Sequence, residues 1–168
     1  FGQGPGLLQV DRAWQYLADQ ATATGEQLPI EVSVSGGRGR RGIYLRDAHE
    51  TASPVSRLIR IRPRFPEASD NSGRVAFQLR VRLESTAKWI ACGQQILLTH
   101  GGNSFRATID PRGLPPGAYR SDIVGFDAER PKRGPLFRVP VTLIRTSQPA
   151  AGSHVRSRES LAFTPGHL

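Results

Sequence analysis

Apolar and polar positions alternate along much of this chain. In "RVAFQLRVRLE", Val75, Phe77, Leu79, Val81 and Leu83 take every second place, with Ala76, Gln78, Arg80, Arg82 and Glu84 between them. Successive side chains of a strand point to opposite faces, so the run predicts one long half-buried strand. "LIRIRPRF" alternates likewise through Ile59, Ile61 and Phe65, placing Arg60, Arg62 and Arg64 on the other face. "FRATI" and "FRVPVTL" repeat the pattern, the latter through Phe137, Val139, Val141 and Leu143. Pro140 falls on the outward side of that last run. A proline removes one ladder donor, so the expectation there is an edge strand or a bulge. Shorter runs at Ile30 to Val34, Ile43 to Arg46, Ile96 to Thr99 and Tyr119 to Phe126 predict further strands.

The segments between them carry turn chemistry: "PEASDNSG", "HGGN", "DPRGLPPG" and "ERPKRGP". Seven or eight short strands spaced in this way predict a mainly β fold, an antiparallel β-sandwich. Within "GLPPGAY" a leucine, a glycine and a tyrosine lead into a late strand. That is the layout of a tyrosine corner, whose phenol bonds back to the backbone upstream, and it assigns this structural role to Tyr119. Trp89 and Cys92 of "WIACG" read as core residues.

A different period opens the chain. Leu7, Val10, Trp14, Leu17 and Ala21 recur at helical spacing, and Gly25 can stop the turn, so one amphipathic helix is expected ahead of the sandwich. A helix of that length is marginal alone, and its stripe needs something to pack on. Three regions follow: 1–25 with the helix, 28–147 as the sandwich, and 148–168. The last opens as a Pro/Ala/Gly/Ser linker and ends in "SLAFTPG", which reads as the first strand of another β-rich domain. With no methionine and Phe1 at its start, the chain reads as a piece of a longer protein.

Composition narrows the chemistry. A single cysteine, Cys92, rules out an internal disulfide and multi-cysteine metal sites, and His49, His100, His154 and His167 lack ligand spacing. Neither a metal nor a cofactor is expected. No apolar run approaches the length that crosses a bilayer. The formal net charge is +9, and only Lys88 and Lys132 of the 23 basic residues are lysine. Such an arginine skew also arises from codon bias, so charge alone gives nucleic acid a minority share.

"SVSGGRGRRGIYLRD" contains G-x-G-x-x-G at Gly37, Gly39 and Gly42. A dinucleotide site needs a helix directly after those glycines, because the pyrophosphate sits on its N-terminus. "IYLRD" reads as a strand, so the loop is expected to be a flexible hairpin-like connection. No G-x-S-x-G motif is present, and "THGGN" and "HETASP" lack the nucleophile, base and acid that acyl transfer needs and read as loops. No catalytic residue is assigned. If the strands bearing Arg60, Arg62, Arg80 and Arg82 pair, like charges face one another, and an anionic partner would relieve them.

"GPGLLQVDRAWQYL" resembles the closing helix of a subtilisin-type catalytic domain, through Gly4, Gly6, Leu7, Leu8, Val10, Asp11 and Ala13. "GIYLRD", "WIACG", "DPRGLPPGAYRSDIVGFDAE" and "GPLFRVPVTLI" follow in an order that resembles the tripeptidyl-peptidase II family, in the part after its catalytic serine. The resemblance implies a subtilase serine exopeptidase that releases tripeptides from free N-termini and forms large homo-oligomers. Its triad would lie upstream of Phe1. By this resemblance the chain would supply the closing helix at 1–25 and an accessory, antiparallel immunoglobulin-like β-sandwich that braces the catalytic domain and the assembly. Its partners would be the catalytic domain before it and the β-rich domain after it. A cytoplasmic location is implied, with a secreted subtilase as a variant. The alternative is a basic β-sandwich that binds nucleic acid or another polyanion through Arg60, Arg62, Arg80 and Arg82.

Overall fold

The computed structural model describes residues 10–22, 28–36 and 41–146. Among the described residues helix α1 (Val10–Thr22) comes first, followed by nine strands. Strands β1 (Ile30–Val34), β3 (Val55–Pro63), β7 (Asn103–Ile109) and β5 (Ile90–Cys92) form a four-stranded sheet in the order β1-β3-β7-β5. The second sheet has the order β2-β9-β8-β4-β6. It contains β2 (Ile43–Leu45), β9 (Pro135–Arg145), β8 (Gly117–Asp127), β4 (Gln78–Ser85) and β6 (Gln95–Thr99).

Alternation sends one side of each strand inward. Ile59 and Ile61 of β3, Val81 of β4, Ile109 of β7, Ile123 of β8 and Val139, Val141 and Leu143 of β9 are fully buried in one shared cluster. Burying each aliphatic side chain contributes on the order of 1.5–3 kcal/mol, so this shared interior holds the two sheets face to face. Phe105 and Phe137 meet across it with ring centroids 6.4 Å apart. The result is a mainly β immunoglobulin-like sandwich. All pairings are antiparallel except β2 with β9, which is parallel.

Four local expectations need correction. The long strand expected from Val75 begins only at Gln78, because Asn71–Ala76 form a short helix, α3. Val75 is 68% exposed there. Arg74 donates to the Pro66 and Glu67 carbonyls and Phe65 stacks edge-to-face on Phe77, which fastens the excursion to the body. Second, β9 is not an edge strand, since β2 lies beyond it. Pro140 is tolerated because β2 pairs only with Val141–Leu143, leaving the proline outside that ladder. A register shift does occur between β8 and β9, but at Gly125/Phe126 rather than at the proline. Third, the glycine-arginine loop is no hairpin, because the strands it joins, β1 and β2, belong to different sheets. Gly36 turns the chain out of β1 at φ +81°, a conformation glycine adopts without strain. Fourth, "HETASP" contains a further short helix, α2 (Ala48–Thr51), instead of plain loop.

Candidate functional site

Tyr119 enters β8 with its hydroxyl donating to the Pro115 carbonyl at 2.7 Å. Its ring meets Trp89 at a centroid distance of 6.3 Å. The turn before it is tied at both ends. Asp110 accepts from the Arg112 guanidinium at 2.8 and 2.9 Å and from the Arg112 backbone N–H at 3.0 Å. Those bonds favour the carboxylate and pull the Asp110 pKa down to about 2. Arg145 of β9 donates to the Pro111 and Leu114 carbonyls, joining the turn to the neighbouring strand. Each polar group named here bonds to the backbone or to a neighbouring side chain.

The four arginines singled out by alternation do not meet. Arg60 and Arg62 belong to β3, while Arg80 and Arg82 belong to β4 in the other sheet. Because the inward residues of both strands share one core, these arginines point away from each other on opposite outer faces. Arg82 bonds to Glu84 at 2.9 Å and its guanidinium lies 5.6 Å from the Phe126 ring centroid. The strand opposite Arg62 offers Glu31, and that opposite Arg60 offers Ser33 on one side and Ser104 on the other. Arg106 of β7 belongs to the same outer face, a residue passed over in the sequence although the alternation of "FRATI" already sets it outward.

Nothing in the interior supplies a reaction centre among the described residues. Cys92 is half-buried, and desolvation raises its thiol pKa, which is opposite to what a nucleophile requires. Among the described residues no three His, Cys, Asp or Glu side chains gather as a metal site, and no helix is long and apolar enough to cross a membrane. His154 and His167, the 148–168 segment and Gly37 to Arg40 lie outside the described residues. A cleft of about 270 Å³ lies beside β1 and β2, and the Arg57–Glu50 ion pair at 2.5 Å is part of its wall.

Helix α1 carries an exposed apolar stripe. Val10, Trp14 and Leu17 are 65%, 73% and 59% exposed. Leu7 lies outside the described residues, as does the side chain of Ala21.

Comparison with known proteins adds the context. Residues 29–144 match the family model of the tripeptidyl-peptidase II first Ig-like domain. The chain is 34% identical to tripeptidyl-peptidase 2 of Arabidopsis thaliana over 98% of its length and 31% identical to that of Drosophila melanogaster over 86%. It spans only 12% and 10% of those two proteins. A crystal structure of tripeptidyl peptidase 2 (TPP II) superposes with a TM-score of 0.74 at 29% identity, covering 86% of this chain and 12% of that one.

Proposed function

Since the chain belongs to the tripeptidyl-peptidase II family, matching its first Ig-like domain, we propose that it is a non-catalytic accessory part of a serine exopeptidase that releases tripeptides from free N-termini. In this reading α1 closes the catalytic domain that precedes it, and the sandwich braces that domain within a homo-oligomer. One observation carries the proposal: Val10, Trp14 and Leu17 face solvent as a stripe on helix α1, while the sandwich core is complete without them. Exposing that much contiguous apolar surface is costly unless another body covers it.

The test uses the parent enzyme. Trp14→Ser with Leu17→Ser should lower its melting temperature by several degrees and reduce tripeptide release, since losing a buried tryptophan contact costs about 3–5 kcal/mol. The 168-residue chain alone should release no tripeptides. Unchanged stability and activity in the double variant would sink the bracing role. Polyanion binding through the whole set of Arg60, Arg62, Arg80 and Arg82 draws no support from the geometry, because the set is divided between two faces.

A further inference from the structure

The outer face of the four-stranded sheet carries more positive charge than its one acid, Glu31, can balance. Its outward positions on β1, β3 and β7 include Glu31, Ser33, Leu58, Arg60, Arg62, Ser104 and Arg106, with Arg64 just beyond the end of β3. Glu31 is engaged by Arg64, whose Nε donates to it at 3.3 Å, and this bond lowers the Glu31 pKa. Arg60, Arg62 and Arg106 form no ion pair within 4.0 Å among the described residues. Register places Arg62 and Arg106 on either side of Arg60, with Arg106 directly opposite Leu58. Arg60 lies between Ser33 and Ser104, Arg62 is the next outward residue along β3, and Arg106 is the next along β7 beyond Ser104. Outward neighbours along one strand stand roughly 7 Å apart, and cross-strand neighbours about 5 Å. Gly102 sits tight against the β3 backbone beside Arg62: a Cβ there would come within 2.6 Å of the Ile61 carbonyl, and its φ is +86°. A shallow depression of about 180 Å³ is lined by Glu31, Ser33, Arg60 and Arg62.

We propose that this face, through Arg60, Arg62 and Arg106 flanked by the hydroxyls of Ser33 and Ser104, docks an acidic, carboxylate-bearing polypeptide segment. Three guanidinium forks supply paired donors that match carboxylates in a bidentate manner, and two hydroxyls beside them can donate as well. Leu58, 42% exposed on the same strand, provides an apolar contact. A nucleic acid fits less well, because single strands are held by aromatic stacking platforms beside basic grooves. No outward residue of β1, β3 or β7 is aromatic. A second copy of this chain fits less well too, since at net charge +9 the copies repel. The surface is separate from the α1 stripe, so the docking role and the bracing role stand or fall independently.

The experiment is fluorescence anisotropy of a labelled oligo-glutamate peptide titrated with the 168-residue chain, at low salt and at about 0.15 M salt. The triple variant Arg60→Ser, Arg62→Ser, Arg106→Ser is compared with Arg80→Ser, Arg82→Ser, Arg120→Ser, which removes the same charge from the opposite face. All six residues are exposed, and matching thermal melts establish that both variants fold. The first triple should weaken binding by roughly tenfold or more, as three surface charge contacts allow, and the second by less than about threefold. Replacing the same three residues by lysine should restore binding only in part, because the ammonium lacks the fork. Equal losses from both Ser triples would reduce the effect to net charge and overturn the proposal. So would absence of binding, or tighter binding of an oligothymidylate of equal charge that the first triple abolishes.

Discussion

The two outer faces of this sandwich treat the same residue type differently. On the five-stranded sheet, Arg82 meets Glu84 and lies over Phe126, and Arg138 approaches Asp122 to 3.9 Å. On the four-stranded sheet, Arg60, Arg62 and Arg106 stand beside serines and an exposed leucine, and Glu31 is already taken by Arg64. Strand alternation sends all of these arginines outward, and it does nothing more. Whether a charge is answered depends on the cross-strand neighbour, which comes from a distant part of the chain. On the first face Arg82 and Arg138 have acids of their own, while Arg80 and Arg120 form no ion pair within 4.0 Å among the described residues; on the second, Arg60, Arg62 and Arg106 all lack one.

If the two faces differ only on the outside, their inner sides should respond alike. Ile59 of β3 and Ile123 of β8 are both fully buried in the shared cluster. Ile59→Ala and Ile123→Ala should each cost about 2–5 kcal/mol, the usual range for emptying an aliphatic core site. Urea unfolding followed by far-UV circular dichroism measures this, with unchanged m-values expected for both. A cost below about 1 kcal/mol for either would mean that its sheet does not share the cooperative core, and the comparison would then be between two separate units.

A smaller effect is expected where β8 runs beside β9, with Gly125 opposite Phe137. A Cβ built on Gly125 would lie 2.3 Å from the Phe137 ring, so that ring occupies the space a side chain would need. Gly125→Ala should therefore destabilise the fold by about 1–3 kcal/mol through overpacking, read as a drop of several degrees in the thermal midpoint. Adding Phe137→Leu should recover part of the Gly125→Ala loss, relative to Phe137→Leu alone, if the clash is the cause. Additive effects of the two substitutions would argue against that packing account.

How much of this was legible beforehand follows the same division. β1, β7 and β9 were readable because their alternation is strong and each inward residue finds the core. α3 was hidden: Val75 and Phe77 happen to continue the two-residue phase of β4, and a helix of six residues is too short to display its own period. The parallel partnership of β2 with β9 had no local signal, since three residues carry no information on direction. The bond from Tyr119 to Pro115 is a local one, between two residues of "GLPPGAY". For the arginine surface, facing was legible and neighbourhood was not. Arg60 and Arg80 look equivalent in sequence, yet the fold places them on opposite sides and pairs Arg60 with Ser104, 44 residues away in "GGNSF".

Glu31 offers the finest adjustment of the contrast between the faces, because it is the one outward acid among the strands of the four-stranded sheet. Glu31→Gln would leave Arg64 without its carboxylate and raise the positive potential beside Arg62. Binding of the oligo-glutamate peptide should tighten about two- to threefold, the scale of one exposed charge contact. The pH dependence separates this from a change in stability. The folded-state pKa of Glu31 lies below its ordinary value, so its stabilising bond is present above the unfolded pKa and is lost as pH falls through the lowered one. The peptide's glutamates titrate near their ordinary value of about 4.3 and lose charge first. Binding by the native chain and by Glu31→Gln should therefore weaken together as pH falls toward 4, with the advantage of the variant nearly constant through that range. An advantage that already disappears near neutral pH could not come from Glu31, which stays charged there, and would place the control of this face in another group.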